Sequence, residues 1–159
     1  MTPQHLHSPD RTGAEQFAER FGTPLYVYDA AVIRRQAANV RDAFSGLPFR
    51  PFYAMKANRN LPLLTFLRLQ GLCGIDACSP NEVEHAIACG FAAEDISFTA
   101  GSLSDRDLQR LSRIRGLAMT CDSMSVIRRW GALGPGREIG IRVNPALGIS
   151  RAQNDKLRY

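Results

Sequence analysis

Short apolar or β-branched runs recur along this chain. Each is followed by a stretch whose apolar residues fall at helical spacing. The runs begin at Phe49 (FRPFYAM), Cys73 (CGIDAC), Asp95 (DISFT), Leu117 (LAMTCD) and Glu138 (EIGIRVN), 21 to 24 residues apart. Between them, residues 61–70 carry Leu63, Leu64 and Leu67 on one helical face. Residues 80–89 open with Ser79 as N-cap, Pro80 at the first position and Glu82 in the first turn, and Gly90 stands at the stop. Residues 104–115 begin with a capping box in which Asp107 takes the place of Glu. Residues 123–130 end before GALGPG, a turn rather than a phosphate loop, since it lacks the G-x-G-x-x-G order and precedes a strand.

Strand and helix alternating at this period predict βαβ units and a parallel sheet. A doubly wound open sheet and a (β/α)8 barrel both satisfy that pattern. The even spacing favours the barrel, because each barrel unit does the same geometric job. A dinucleotide fold would carry a glycine fingerprint after its first strand, and AMKANRN has no glycine. Upstream, Thr23-Pro24 introduces LYVYD, an alternating strand, and residues 30–44 follow as a helix with Val32, Ile33, Ala37 and Val40 inward. Periodicity alone leaves open whether this is a sixth unit. A whole barrel needs eight strands and about 250 residues. Five or six strands would leave an unpaired edge and an apolar face in water. The expectation is therefore the N-terminal part of a parallel α/β barrel, about five βα units, within a longer protein.

Composition narrows the function classes. The 159 residues are 45% hydrophobic and 22% charged with formal net charge +5, enough apolar material for a core and too mild and scattered a charge for a nucleic-acid surface. No run approaches the ~18 apolar residues of a membrane helix. The start, MTPQHLHSPDRTGAEQ, has no apolar signal-peptide region. Cys73, Cys78, Cys89 and Cys121 lack metal-ligand spacing and are expected to be small buried residues in a reducing cytoplasm. The pair His5 and His7 sits in a polar tail and is not expected to hold a metal.

The 20 basic residues include only two lysines, Lys56 and Lys156. Arg is effectively always charged, whereas Lys can lose its proton and act as an amine nucleophile. Lys156 lies in the polar stretch DKLRY and reads as surface. Lys56 ends the apolar run FRPFYAM. Barrel enzymes place their chemistry at the carboxyl ends of the strands, and those ends carry Lys56, Asp76, Thr99, Asp122 and Arg142-Val143-Asn144. Backed by Phe52, Tyr53 and Met55, the Lys56 amine is expected to be partly desolvated, which favours its neutral, nucleophilic form. The bland alternative is a lysine reaching solvent. Asp76 either pairs with Lys56, orients a cofactor or starts a helix. Arg142, mid-run in an apolar strand, is expected to be buried and paired with an acid or a phosphate. Glu82 and Glu84 are expected on a solvated helix face.

FYAMKAN, GIDACSPNEVEHA, DISFTAGSLSDRDL and IGIRVNP, in this order, resemble the N-terminal barrel of the fold-type III pyridoxal-phosphate decarboxylases, which act on diaminopimelate, ornithine, arginine and carboxynorspermidine. The TPLYVYD opening is similar to that of the diaminopimelate enzymes. Alanine racemases share the fold, but their cofactor lysine lies in a different local motif. The resemblance covers residues 21–159 and implies a tail over residues 1–20. It implies that Lys56 forms a Schiff base with pyridoxal 5'-phosphate, and that Asp76 and Arg142 line the cofactor pocket beside it. It also places LYVYD outside the barrel, in a β-domain that a C-terminal half completes, so that the sixth unit is spurious. The implied reaction is decarboxylation of a small amino acid, foremost meso-diaminopimelate to L-lysine, a step of lysine biosynthesis. The substrate amine displaces Lys56 and the conjugated ring takes up the electrons as CO2 leaves.

The family's phosphate-binding glycine loop, the acid on the ring nitrogen and a cysteine from a partner subunit all map beyond Tyr159. The 159-residue chain alone is therefore expected to be inactive and to bind the cofactor weakly, while the full-length protein works as a cytoplasmic homodimer. Carboxynorspermidine or ornithine as substrate, a non-catalytic relative acting as a binding partner, and an unrelated α/β domain for phosphorylated metabolites are the competing readings.

Overall fold

The structure, a computed structural model, describes residues 11–145. The chain divides between Phe49 and Arg50 into two compact units. In the first, α1 spans Arg11–Phe21 and α2 spans Ala30–Ala43. Helix α1 thus occupies the second half of the stretch expected as a tail, whereas His5 and His7 lie outside the described residues. Asp29 caps α2 by accepting from the backbone N–H of Ala31 at 2.7 Å and of Val32 at 3.2 Å. No residue of α2 is fully buried. Val32, Ile33 and Ala37 share a half-buried side, but Val40, expected inward, is exposed. LYVYD forms no strand, and Leu25, Tyr26, Val27 and Tyr28 are all exposed. A strand needs a neighbouring strand for its backbone groups, and no strand pairing involves this segment among the described residues.

The second unit is a five-stranded sheet of β1 (Phe52–Ala54), β2 (Gly74–Ala77), β3 (Ile96–Thr99), β4 (Ala118–Cys121) and β5 (Gly140–Ile141). All neighbours are parallel and the spatial order is β1-β2-β3-β4-β5. A doubly wound sheet reverses direction at a switch point. These strands never do, which is the winding of a barrel wall. The upstream piece adds no strand, so the strands among the described residues number five.

Helices α3 (Leu61–Leu69), α4 (Pro80–Ala88), α5 (Asp105–Ser112) and α6 (Met124–Leu133) connect successive strands. Their starts follow local chemistry. Asn60, Ser79, Ser104 and Ser123 each accept a backbone N–H of the first turn. The Ser104–Asp107 capping box is formed in both directions. The GALGPG segment closes α6 and turns toward β5, with Gly136 at φ 80°.

Burial follows the period of two. Ile75, Ala77, Ile96, Phe98, Met119 and Cys121 are buried, together with Leu64, Leu67, Val83, Ala86, Leu108, Leu111, Val126 and Trp130 of the helices. The core therefore lies between the helices and one face of the sheet. The residues in between, Asp76, Ser97, Thr99 and Thr120, are half-buried on the other face. Strand β5 pairs over only two residues of its seven-residue run, because it is the edge of the described sheet, and Ile141 and Val143 are exposed. The largest aromatic side chain buried in the strands is Phe98, at 0% exposure in the central strand. Phe98→Ala is expected to lower stability by about 3–5 kcal/mol, measured by urea unfolding. Tyr26→Ala, at an exposed position, is expected to change it by less than about 0.5 kcal/mol.

Candidate active site at the carboxyl ends of the strands

The strand register aligns the chemistry. Ala54, Asp76, Ser97 and Ala118 form one row across the sheet, and Thr99, Thr120 and Gly140 form a row nearer the carboxyl ends. Both rows are on the face away from the core. Lys56 follows β1 at once, in the 3-10 turn Met55–Ala57. Met55 is fully buried and Lys56 is exposed. This corrects the expected desolvation of the amine. Successive residues of a 3-10 turn lie about 120° apart, so the turn can bury Met55 and leave Lys56 in solvent, with Phe52 exposed and Tyr53 half-buried before them.

Asp76 sits in the neighbouring strand. Burial pushes its carboxyl up, the charge of Lys56 partly offsets that, and the Glu82 carboxylate adds to it. Amine and carboxylate thus act on each other across adjacent strand ends. The Cys78 thiol is pushed up by burial first and then by Asp76 and Glu82, with Lys56 and Arg142 acting the other way. Arg142 therefore shares the same electrostatic neighbourhood. Its backbone N–H donates to the Cys121 carbonyl at 2.8 Å, extending the β4–β5 pairing. Its side chain is exposed rather than buried, β5 being the last strand of the described sheet. Lys56, Asp76 and Arg142 each act electrostatically on the Cys78 thiol just beyond β2. Thr99 and Asp122 stand at neighbouring strand ends, where a Cβ on Gly101 would lie 3.0 Å from Asp122 Oδ2.

Glu82 overturns its expected solvation. It is 6% exposed, and its Oε2 accepts the Cys78 backbone N–H at 2.8 Å while Oε1 lies 3.4 Å from Arg59 Nε. Glu84, two residues on, is exposed and pairs with Arg110 as a solvated face would. Spacing from Ser79 marks Glu82 as a third-position helix acid. The residue it serves, Cys78, precedes the cap and was not distinguishable in the sequence. All four cysteines are free thiols, Cys89 and Cys121 buried and the other two half-buried. A cavity of about 840 Å³ opens at the opposite end of β4 and β5, beside Leu117, Trp130 and Arg137, and holds none of these candidate groups.

Residues 30–156 match the family model described as the pyridoxal binding domain of pyridoxal-dependent decarboxylases. The chain belongs to that family. This pyridoxal binding domain is 39% identical over 144 residues to a diaminopimelate decarboxylase of Methanothermobacter thermautotrophicus, covering 89% of this chain and 33% of the relative. It is 34% identical over 137 residues to the diaminopimelate decarboxylase of Escherichia coli K12, covering 84% of this chain and 31% of that one. The crystal structure of diaminopimelate decarboxylase from Helicobacter pylori complexed with L-lysine superposes with a TM-score of 0.75 at 27% identity, over 83% of this chain and 34% of that one. The chain spans about a third of the length of the curated relatives it matches.

The cofactor of this family is pyridoxal phosphate, and the donor set fits it. An exposed amine, reachable by an aldehyde, ends one strand. A carboxylate whose proton affinity is raised stands at the next, and a guanidinium faces the same rim. All three are on the side of the sheet that the core leaves open.

The folded chain holds the Asp76 proton more tightly than the unfolded chain does. Folding therefore becomes less favourable as pH climbs from about 4 through the raised value. Asp76→Asn is expected to raise Tm modestly at pH 7, with the difference closing toward pH 4, as followed by thermal unfolding across that range.

Proposed function

We propose that this chain is the lysine-bearing part of a pyridoxal-phosphate-dependent decarboxylase that converts meso-diaminopimelate to L-lysine and CO2. The observation that carries the reading is the placement of Lys56 at the carboxyl end of β1 with Asp76 at the end of β2, the two charges acting on each other. The diaminopimelate decarboxylases among its relatives, at 34–39% identity, support the substrate. So does the L-lysine held by the Helicobacter pylori structure.

Lys56 would hold the cofactor through Nζ, and Asp76 and Arg142 would line its pocket. When bound, pyridoxal phosphate supplies an aldehyde for amines and a conjugated ring that accepts the electron pair left as CO2 departs. Lys56 would have to hold the cofactor and also give way to the substrate amine, so its Nζ must stay reachable. Its exposure meets that need. Asp76, whose carboxyl burial pushes up and the Lys56 charge pulls back, places an acid on the strand next to the amine. Arg142 offers a fixed positive charge to an anionic group at the same rim. The full-length protein is read as a cytoplasmic homodimer.

Pyridoxal phosphate added to the full-length protein and reduced with borohydride is expected to label Lys56, found by peptide mapping. Lys56→Ala is expected to take CO2 release from meso-diaminopimelate to background. A protein labelled at other amines but not at Lys56 removes the reading. Release of CO2 from ornithine or carboxynorspermidine alone would replace the substrate and keep the chemistry.

A further inference from the structure

Lys56 rides on a 3-10 turn of three residues. So short a turn has no cooperative length of its own, and its orientation is set by whatever holds its two ends. Upstream, Met55 is fully buried. Downstream, residues 58–60 fold back locally. Asn58 N–H donates to the Met55 carbonyl at 3.1 Å, and Asn60 N–H donates to Asn58 Oδ1 at 2.9 Å. Between those two asparagines is Arg59, and α4 reaches it twice. Glu82 Oε1 lies 3.4 Å from Arg59 Nε, and His85 Nε2 lies 2.9 Å from the Arg59 carbonyl oxygen. Glu82 and His85 are three apart in α4 and so share one helix face. A carbonyl only accepts, so Nε2 of His85 carries the hydrogen and donates it. Glu82 is meanwhile fixed to the Cys78 backbone, immediately beyond β2. The two α4 side chains therefore span from the end of β2 to the strap behind Lys56.

We propose that His85, working with Glu82, is a positioning residue for Lys56: it pins the Arg59 carbonyl and so fixes the turn that presents the amine beside Asp76. The inference rests on the reading of Lys56 as the cofactor-holding amine. A hydrogen bond to backbone serves this better than one to a side chain, because no rotamer of Arg59 can release it. Glu82 alone would hold only an exposed, flexible guanidinium.

The composition supplies the control, since Lys56 and Lys156 are the only lysines in the chain. Reductive methylation with 13C-formaldehyde gives each a dimethyl-lysine signal, assigned with Lys56→Arg. In the 159-residue chain, His85→Leu is expected to move the Lys56 signal toward that of Lys156. His85→Gln, whose amide can donate to the same carbonyl, is expected to restore it. Trapping of pyridoxal phosphate by borohydride at Lys56, relative to Lys156, is expected to fall about tenfold in His85→Leu, as when an outer positioning contact behind a functional side chain is lost. It should recover in His85→Gln. An unchanged Lys56 signal and trapping ratio in a folded His85→Leu chain overturns the proposal, as does failure of His85→Gln to rescue. If circular dichroism shows His85→Leu unfolded, His85→Met, an unbranched helix-former that cannot donate to the Arg59 carbonyl, takes its place: a Lys56 signal in folded His85→Met equal to that of the unaltered chain overturns the clamp. Should Lys56 resist trapping in the full-length protein while its methyl signal still answers to His85, the clamp stands and the cofactor reading falls.

Discussion

Everything at the rim depends on one constraint: the apolar face of the sheet must be covered by helices. Ile75, Ile96, Phe98 and Met119 are at 1% exposure or less on that side. Strand side chains alternate, so burying these residues commits their neighbours to the opposite face. Parallel pairing in strict order then sets Ala54, Asp76, Ser97 and Ala118 level with one another. A slip of one residue in β2 would drive Asp76 into the core and bring Ile75 out. Hydrophobic burial thereby decides where a carboxylate can meet an amine, although it contributes nothing to the chemistry itself.

Much of this was legible in the chain. The beat of 21 to 24 residues located all five strands, and serine caps followed by proline or acids located α4 and α5. These are local signals, read within one turn or one strand. What failed was everything that depends on a neighbour. LYVYD alternates as a strand does, yet alternation is only half of a strand, and no partner is described for it. Lys56 follows an apolar run, but a run says nothing about which side its last residue takes. Arg142 was expected to be buried because its strand is apolar. An edge position reversed that.

Glu82 is the instructive miss. Its sequence context, the third position of a capped helix with a second acid two residues on, fits a solvated face in most proteins. Its burial comes with the Cys78 backbone just ahead of the cap and with Arg59, which lies a helix and a strand away in the chain. The family match and the solved relatives agree with the barrel winding. The match carried no information about α4's grip on residue 59, which is visible only in three dimensions.

The preference for arginine over lysine has a counterpart in the architecture. Arg68 of α3 donates to the Cys89 carbonyl, Arg110 of α5 to Asn81 and Glu84, and Arg129 of α6 to the Leu103 carbonyl and Asp105. Each planar fork fastens one βα unit to the unit beside it in the sequence, and strand pairing joins the same neighbours. Apart from Arg50, which reaches past β2 to the Glu94 carbonyl and Asp95, these forks join nearest neighbours, so few long loops have to close and each unit can settle against the one before as synthesis proceeds. Reserving the flexible amine for one strand end leaves the rigid forks to do the stitching.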